Sequence, residues 1–135
     1  MASTETKLED IMKDIISQDN VMFSVRSSGA ICEARIEPNL PVRLSESYMT
    51  IGNESSSWHI HVNLKETREA KFVKENNNEG RTSYSIRFFD LKGNLIFRAN
   101  FVKMYESSNT VIQDRLFKFE ELFAKYGSKE RLSLC

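Results

Sequence analysis

Both histidines of this 135-residue chain, His59 and His61, lie in one largely apolar segment, residues 57–64. Because side chains alternate across a β-strand, His59, His61 and Asn63 would project from one face of such a strand, and its apolar residues from the other. Imidazoles bind transition metals, bind haem iron and act in catalytic triads. The segment is therefore the first candidate for a chemical site.

Three interpretations of the pair stay open on the residues alone. The histidines can be ordinary solvent-facing strand residues, or they can give two adjacent ligands to a divalent metal that takes further ligands from elsewhere. One of them can also be an axial ligand of haem iron, because two parallel side chains on one strand cannot sandwich a porphyrin. Haem needs apolar walls and cations for its propionates, and the candidate cations are Arg43, Arg68, Arg87 and Arg98.

The elements that must position this pair follow from the hydrophobic periodicity. Apolar residues recur at helical spacing over residues 8–16 and 110–126, and Gly127 stands where the second helix would end. Since helices and strands do not alternate, we expect an α+β fold, in which an antiparallel β-sheet of about seven or more strands is flanked by N- and C-terminal helices. Strands are predicted at residues 21–26, 30–37, 48–51, 58–64, 70–74, 82–89 and 95–102.

Turn and cap residues predict how these elements begin and pair. The Asp90–Asn94 turn joins the strands on either side of it into a hairpin. Residues 70–74 are the expected partner of the histidine strand. Thr6 has capping-box spacing with Glu9, and Ser108 or Asn109 is the expected N-cap of the second helix.

Charge and hydropathy exclude several classes of partner. Nineteen Lys and Arg balance nineteen Asp and Glu, so no general positive field draws the chain to nucleic acid or to an anionic membrane. No apolar run approaches the roughly 20 residues that span a bilayer, and residues 1–13 are too acidic and amphipathic for a signal peptide. We expect one soluble, intracellular domain at residues 1–127, followed by a flexible tail at 128–135.

The remaining motifs do not indicate an enzyme. Cys32 is expected to be a small core residue and Cys135 an exposed thiol, with no disulfide framework or paired-cysteine metal site. The chain has no GxSxG sequence, no phosphate-binding glycine loop and no dinucleotide-binding fingerprint. No catalytic residue is assigned.

Three segments together resemble the small bacterial haem-utilisation proteins of the ChuX and HutX type. Residues 20–41 resemble their opening sheet, Trp58-His59-Ile60 resembles their short histidine strand, and residues 80–94 resemble their signature hairpin. The resemblance extends over residues 8–126, including the apolar strand and the aromatic-rich helix at the end. Such proteins look like one half of the longer, two-repeat HemS and ChuS haem-trafficking proteins.

The resemblance implies a cytoplasmic homodimer that binds haem and passes it on for storage or breakdown. His59 matches a family histidine implicated in holding haem, which makes it the expected ligand of haem iron, with His61 as a neighbouring or substitute ligand. The family's other ligand region corresponds to residues 43–48, which contain no histidine, and Tyr48 is the candidate oxygen ligand there. Arg87 and Arg98 are expected to contact the propionates.

The sequence thus leads to the hypothesis of a cytoplasmic haem carrier in haem iron utilisation. Two alternatives belong to other classes. One is a haem-degrading enzyme on the same fold, which would destroy its haem when supplied with reductant and oxygen. The other is a module that binds a metal, a small molecule or a protein partner without haem.

Overall fold

A computed structural model describes residues 5–37, 40–53, 55–77 and 79–135, and the first four residues of the predicted domain lie outside this description. Two helices and nine strands are formed by the described residues. In chain order they are α1 (Leu8–Ile16), β1 (Val21–Arg26), β2 (Ile31–Arg35), β3 (Val42–Leu44), β4 (Tyr48–Ile51), β5 (Ile60–Asn63), β6 (Glu69–Asn76), β7 (Thr82–Phe89), β8 (Leu95–Phe101), α2 (Gln113–Lys125) and β9 (Arg131–Ser133).

The strands form two antiparallel sheets rather than one. The larger sheet has six strands in the order β2-β1-β8-β7-β6-β9, and the smaller sheet has three in the order β3-β4-β5. All the pairs are antiparallel and the helices lie towards the two ends of the chain. The predicted α+β class is confirmed, with the difference that the histidine strand belongs to the smaller sheet.

Aromatic side chains join the two sheets and α2 into one core. Phe88 and Phe97 face each other across β7 and β8 with their rings stacked at 4.5 Å. Phe23 of β1 contacts Phe97 in the same sheet and the ring of Trp58, next to the smaller sheet, at 6.1 Å. At the other end of the core, Phe119 of α2 is 1% exposed and packs on rings from β6, β7 and β8.

The first helix contributes a complete apolar stripe to this core. Its residues at positions 8, 11, 12, 15 and 16 are all buried, as the spacing predicts. None of the helices formed by the described residues is long and apolar enough to cross a bilayer.

Of the predicted helix caps, the one at the end of α2 is confirmed and those at the starts of both helices are wrong. Gly127 ends α2 in a left-handed conformation, with hydrogen bonds from the amides of Gly127 and Ser128 back into the last turn, as expected of a glycine cap. The second helix begins after Ile112 without a side-chain cap, so the prediction of Ser108 or Asn109 was wrong. Thr6 does not cap α1 either, because its backbone bridges to Leu134.

Three further features differ from the pattern-based expectation. Residues 70–74 belong to β6, which pairs with β7 along its full length and not with the histidine strand. Within the segment 128–135, β9 pairs with the free edge of β6, where three residues are too few to produce a recognisable alternation. Cys32 is exposed, because β2 is an edge strand whose side chains remain largely uncovered.

Candidate functional site

The outward surface of the smaller sheet carries both histidines. Val62 is 2% exposed and lies in the core, whereas His59 and His61 on the alternate positions are exposed, as the strand periodicity predicts. Residues that pair across antiparallel strands project from the same face, and the pairing of β3, β4 and β5 therefore identifies the neighbours of the histidines. We call this surface the histidine face, and it consists of Arg43, Tyr48, Thr50, His61 and Asn63, together with His59, which precedes β5 and contacts the ring of His61.

His61 is held by the strand beside it. Thr50 lies directly opposite on β4, and its hydroxyl oxygen is 2.8 Å from Nδ1 of His61. Thr50 is only 8% exposed whereas His61 is exposed, so this hydrogen bond is partly buried. The contact directs the second ring nitrogen, Nε2, away from the strand pair.

His59 is positioned by a close approach of the backbone. Gly52 follows β4 with a φ of 95°, and a Cβ built there would lie 2.8 Å from the carbonyl oxygen of Trp58 and 3.2 Å from Cβ of His59. Only glycine allows this approach. Trp58 is itself anchored, because its indole N–H donates to the carbonyl oxygen of Arg35 at 3.0 Å.

The two imidazoles and the Tyr48 ring form a cluster. The ring centres of His59 and His61 are 5.0 Å apart with an angle of 69° between the planes, and the Tyr48 ring is 6.3 Å from His61. Within the described ranges, no hydrogen bond is made by Nε2 of either histidine. The cluster therefore offers two imidazole nitrogens to an external ligand.

Arg43 completes the row that starts at His61. It pairs with Thr50 on the side opposite to β5, which places a guanidinium on the histidine face. The sequence includes Arg43 among four candidate cations but gives no reason to prefer it, since only the strand register brings it to this surface.

Two of the other predicted arginines, Arg87 and Arg98, lie on the outer face of the larger sheet. Arg87 and Arg98 face each other on β7 and β8, at positions that alternate with buried residues such as Phe88. Arg87 forms an ion pair with Glu75 at 2.6 Å. Burial lowers the pKa of Arg98, and the neighbouring positive charges of Arg87 and Arg26 lower that pKa further.

The structure thus brings together only part of the predicted site. His59, His61 and Tyr48 share one surface, while Arg87 and Arg98 of the same chain belong to the outer face of the larger sheet. Among the residues that the structure describes, no group of three or more His, Cys, Asp and Glu could hold a metal ion. A metal on this surface would have the two histidines as its only ligands of these types.

A protein-family model matches residues 9–127, most of the chain, and together with solved ChuX structures of the same fold it supports a ChuX-like family. The chain belongs to the ChuX-like family. The predicted relationship is therefore confirmed, and the match includes the smaller sheet with the histidine face, α2, nearly all of α1 and every strand of the larger sheet except β9.

Solved structures of ChuX have the same fold. The crystal structure of ChuX is similar with a TM-score of 0.72 at 13% identity, covering 90% of this chain and 72% of that one. A structure of the haem-binding protein ChuX has a TM-score of 0.68 at 13% identity, covering 87% of this chain and 71% of that one. The crystal structure of a protein from Erwinia carotovora has a TM-score of 0.69 at 16% identity, covering 87% of this chain and 70% of that one. No curated protein has significant sequence similarity to the chain.

Proposed function

We propose that the protein binds haem on the histidine face and carries it in the cytoplasm as part of haem iron utilisation. The observation that carries this proposal is the presence of two exposed imidazoles, with Nε2 free of hydrogen bonds to the described residues, on the fold of a family whose member ChuX is described as haem-binding. Imidazole is the protein ligand that most often holds haem iron.

The residues present suit one side of a porphyrin. His59 is the proposed axial ligand, since it matches the family histidine, and His61 is the adjacent or substitute ligand. The partly exposed ring of Tyr48, beside His61, offers an apolar surface and a phenol oxygen. Arg43 is the cation of this face that can bind a propionate.

The other side of the porphyrin calls for a second chain. A single sheet surface covers one side of the ring system only, and large apolar side chains lining a complete pocket are missing from the histidine face as described. We infer a homodimer in which the second copy covers the exposed side of the haem. Arg87 and Arg98, which lie away from the histidines of their own chain, can reach a propionate only from that second copy.

Titration of the apo-protein with ferric haem tests the proposal. We expect a saturable Soret band, and a weakening of haem affinity by about tenfold or more, together with a shift of that band, in His59→Ala. Leu91→Ala is the matched control, because Leu91 is 81% exposed in the turn after β7 and its loss should leave the titration unchanged.

Two outcomes would contradict the proposal at different levels. Unchanged haem binding in His59→Ala would remove His59 as the ligand and direct attention to His61 or Tyr48. A wild-type protein without a saturable Soret band would rule out haem as the ligand. Loss of the band on addition of reductant and oxygen would instead indicate haem degradation, whereas a carrier retains its haem.

A further inference from the structure

We propose that His59 and His61 together chelate a divalent transition-metal ion in the haem-free protein. The two histidines form a preassembled bidentate site whose remaining coordination positions are filled by water. The inference does not depend on haem binding, because it concerns the imidazole pair alone.

The spacing of the rings fits one shared metal ion. With metal–nitrogen bonds of about 2.0–2.1 Å, two imidazoles bound to one tetrahedral ion have their ring centres roughly 5 Å apart. The ring centres of His59 and His61 are 5.0 Å apart. The separation of the rings is therefore compatible with both imidazoles binding one ion after rotation about their side-chain bonds.

Thr50 prepares His61 for this role. Metal-bound histidines usually donate the N–H of their other ring nitrogen to an oxygen acceptor, which fixes the tautomer and the orientation of the ring. Here the Thr50 hydroxyl oxygen lies 2.8 Å from Nδ1 of His61 and can accept such a hydrogen bond. A metal at Nε2 selects the tautomer in which Nδ1 carries the proton.

The backbone holds the second ligand in place. Gly52 lies so near that an added Cβ would be 3.2 Å from Cβ of His59, and Trp58 is anchored by its indole hydrogen bond. Both features restrict where the His59 side chain begins. His61 lies within β5 and His59 immediately before it, and a site whose ligands are restrained in this way loses little conformational entropy on binding, which favours binding even with two protein ligands.

The donor set selects the class of metal. Imidazole nitrogen suits Zn²⁺, Ni²⁺ and Cu²⁺, whereas Mg²⁺ and Ca²⁺ require oxygen ligands. Since no third His, Cys, Asp or Glu joins the pair within the described part of the chain, the ion stays exposed and exchangeable. This differs from a closed structural zinc site, which has four protein ligands.

Calorimetric titration of the haem-free protein with Zn²⁺ and with Ni²⁺ tests the inference. The protein should carry Cys32→Ser and Cys135→Ser, because both thiols are exposed and would bind the same metals. We expect one saturable site per chain, a loss of affinity of at least about tenfold in His59→Ala and equally in His61→Ala, and no binding of Mg²⁺. Leu91→Ala in the same background should bind as the parent does.

Two results would overturn the chelate. Full affinity in either single histidine variant would show that the two rings do not share the ion, and an absence of saturable Zn²⁺ or Ni²⁺ binding would show that no site exists. Circular dichroism of each variant checks that its fold is intact. Binding of Zn²⁺ without binding of haem would support the chelate and contradict the proposed function. Binding of haem without binding of Zn²⁺ would support the proposed function and contradict the chelate.

Discussion

The hydroxyl of Thr50 is the group that orients His61, and its contribution can be isolated by one substitution. Thr50→Val keeps the shape of the side chain but removes the acceptor for Nδ1, so the ring is free to rotate and to change tautomer. We expect the Zn²⁺ affinity of the haem-free protein to fall about tenfold, with a change in the His61 ring-nitrogen chemical shifts in NMR spectra.

Thr50→Ser provides the matched control, because serine restores the hydroxyl at the same position. We expect its chemical shifts and affinity to be close to those of the wild type. The positioning role of Thr50 would be refuted by Thr50→Val spectra that match those of the wild type, since a purely structural threonine would affect stability without affecting the tautomer of His61.

At the scale of single residues, alternation was sufficient to place the histidines but not their partners. The periodicity of residues 58–64 correctly put His59 and His61 on one exposed surface. It could not identify Thr50 or Arg43, because a contact between strands depends on register, and register is set by the whole sheet. For the same reason the arginines at 87 and 98 could not be assigned to a sheet face relative to the histidines.

The junction between β4 and β5 depends on a glycine whose backbone and surroundings both exclude a side chain. Gly52 and Gly93 have similar positive φ angles, but a Cβ at Gly93 would meet no atom within 4 Å. Ala at either position costs about 1–2 kcal/mol for the left-handed backbone. We expect Gly52→Ala to lower the free energy of unfolding by more than Gly93→Ala does, measured by urea denaturation.

The steric clash caused by a Cβ at Gly52 should also displace residues of the histidine face. A Cβ there would push on the Trp58 carbonyl and on Cβ of His59, so we expect weaker binding of haem and of Zn²⁺ in Gly52→Ala but not in Gly93→Ala. Equal destabilisation by the two substitutions would mean that the strands can separate enough to accept the methyl group.

Among the elements, strands of four or more residues were predictable and the two strands of three residues were not. The bounds of β1, β4 and β7 agree with the alternating pattern, because each has enough residues to show a period of two. The strands β3 and β9 have three residues each and are formed by pairing with β4 and β6, which no local pattern reveals. The pairing of residues 70–74 was predicted wrongly for the same reason, since alternation does not specify with which neighbouring strand a strand pairs.

For the molecule as a whole, the proposed haem site implies a change of association state on loading. If a second chain covers the outer side of the porphyrin, the haem-loaded protein should sediment as a dimer, with twice the 15.6 kDa mass of one chain. His59→Ala mixed with haem under the same conditions should not be driven to associate by the ligand. Sedimentation velocity measures both, and a haem-loaded monomer would contradict the two-chain site.

The exposure of both imidazoles before any ligand arrives has a kinetic consequence. Where a binding surface is already formed, no slow opening step precedes capture, so the observed association rate should rise in proportion to ligand concentration without reaching a plateau. With basic and acidic residues in balance, long-range steering of the encounter is weak and added salt should alter that rate little. The lifetime of the haem complex is then governed by the strength of the bond between the iron and its histidine ligand, which also sets how readily an acceptor can take the haem.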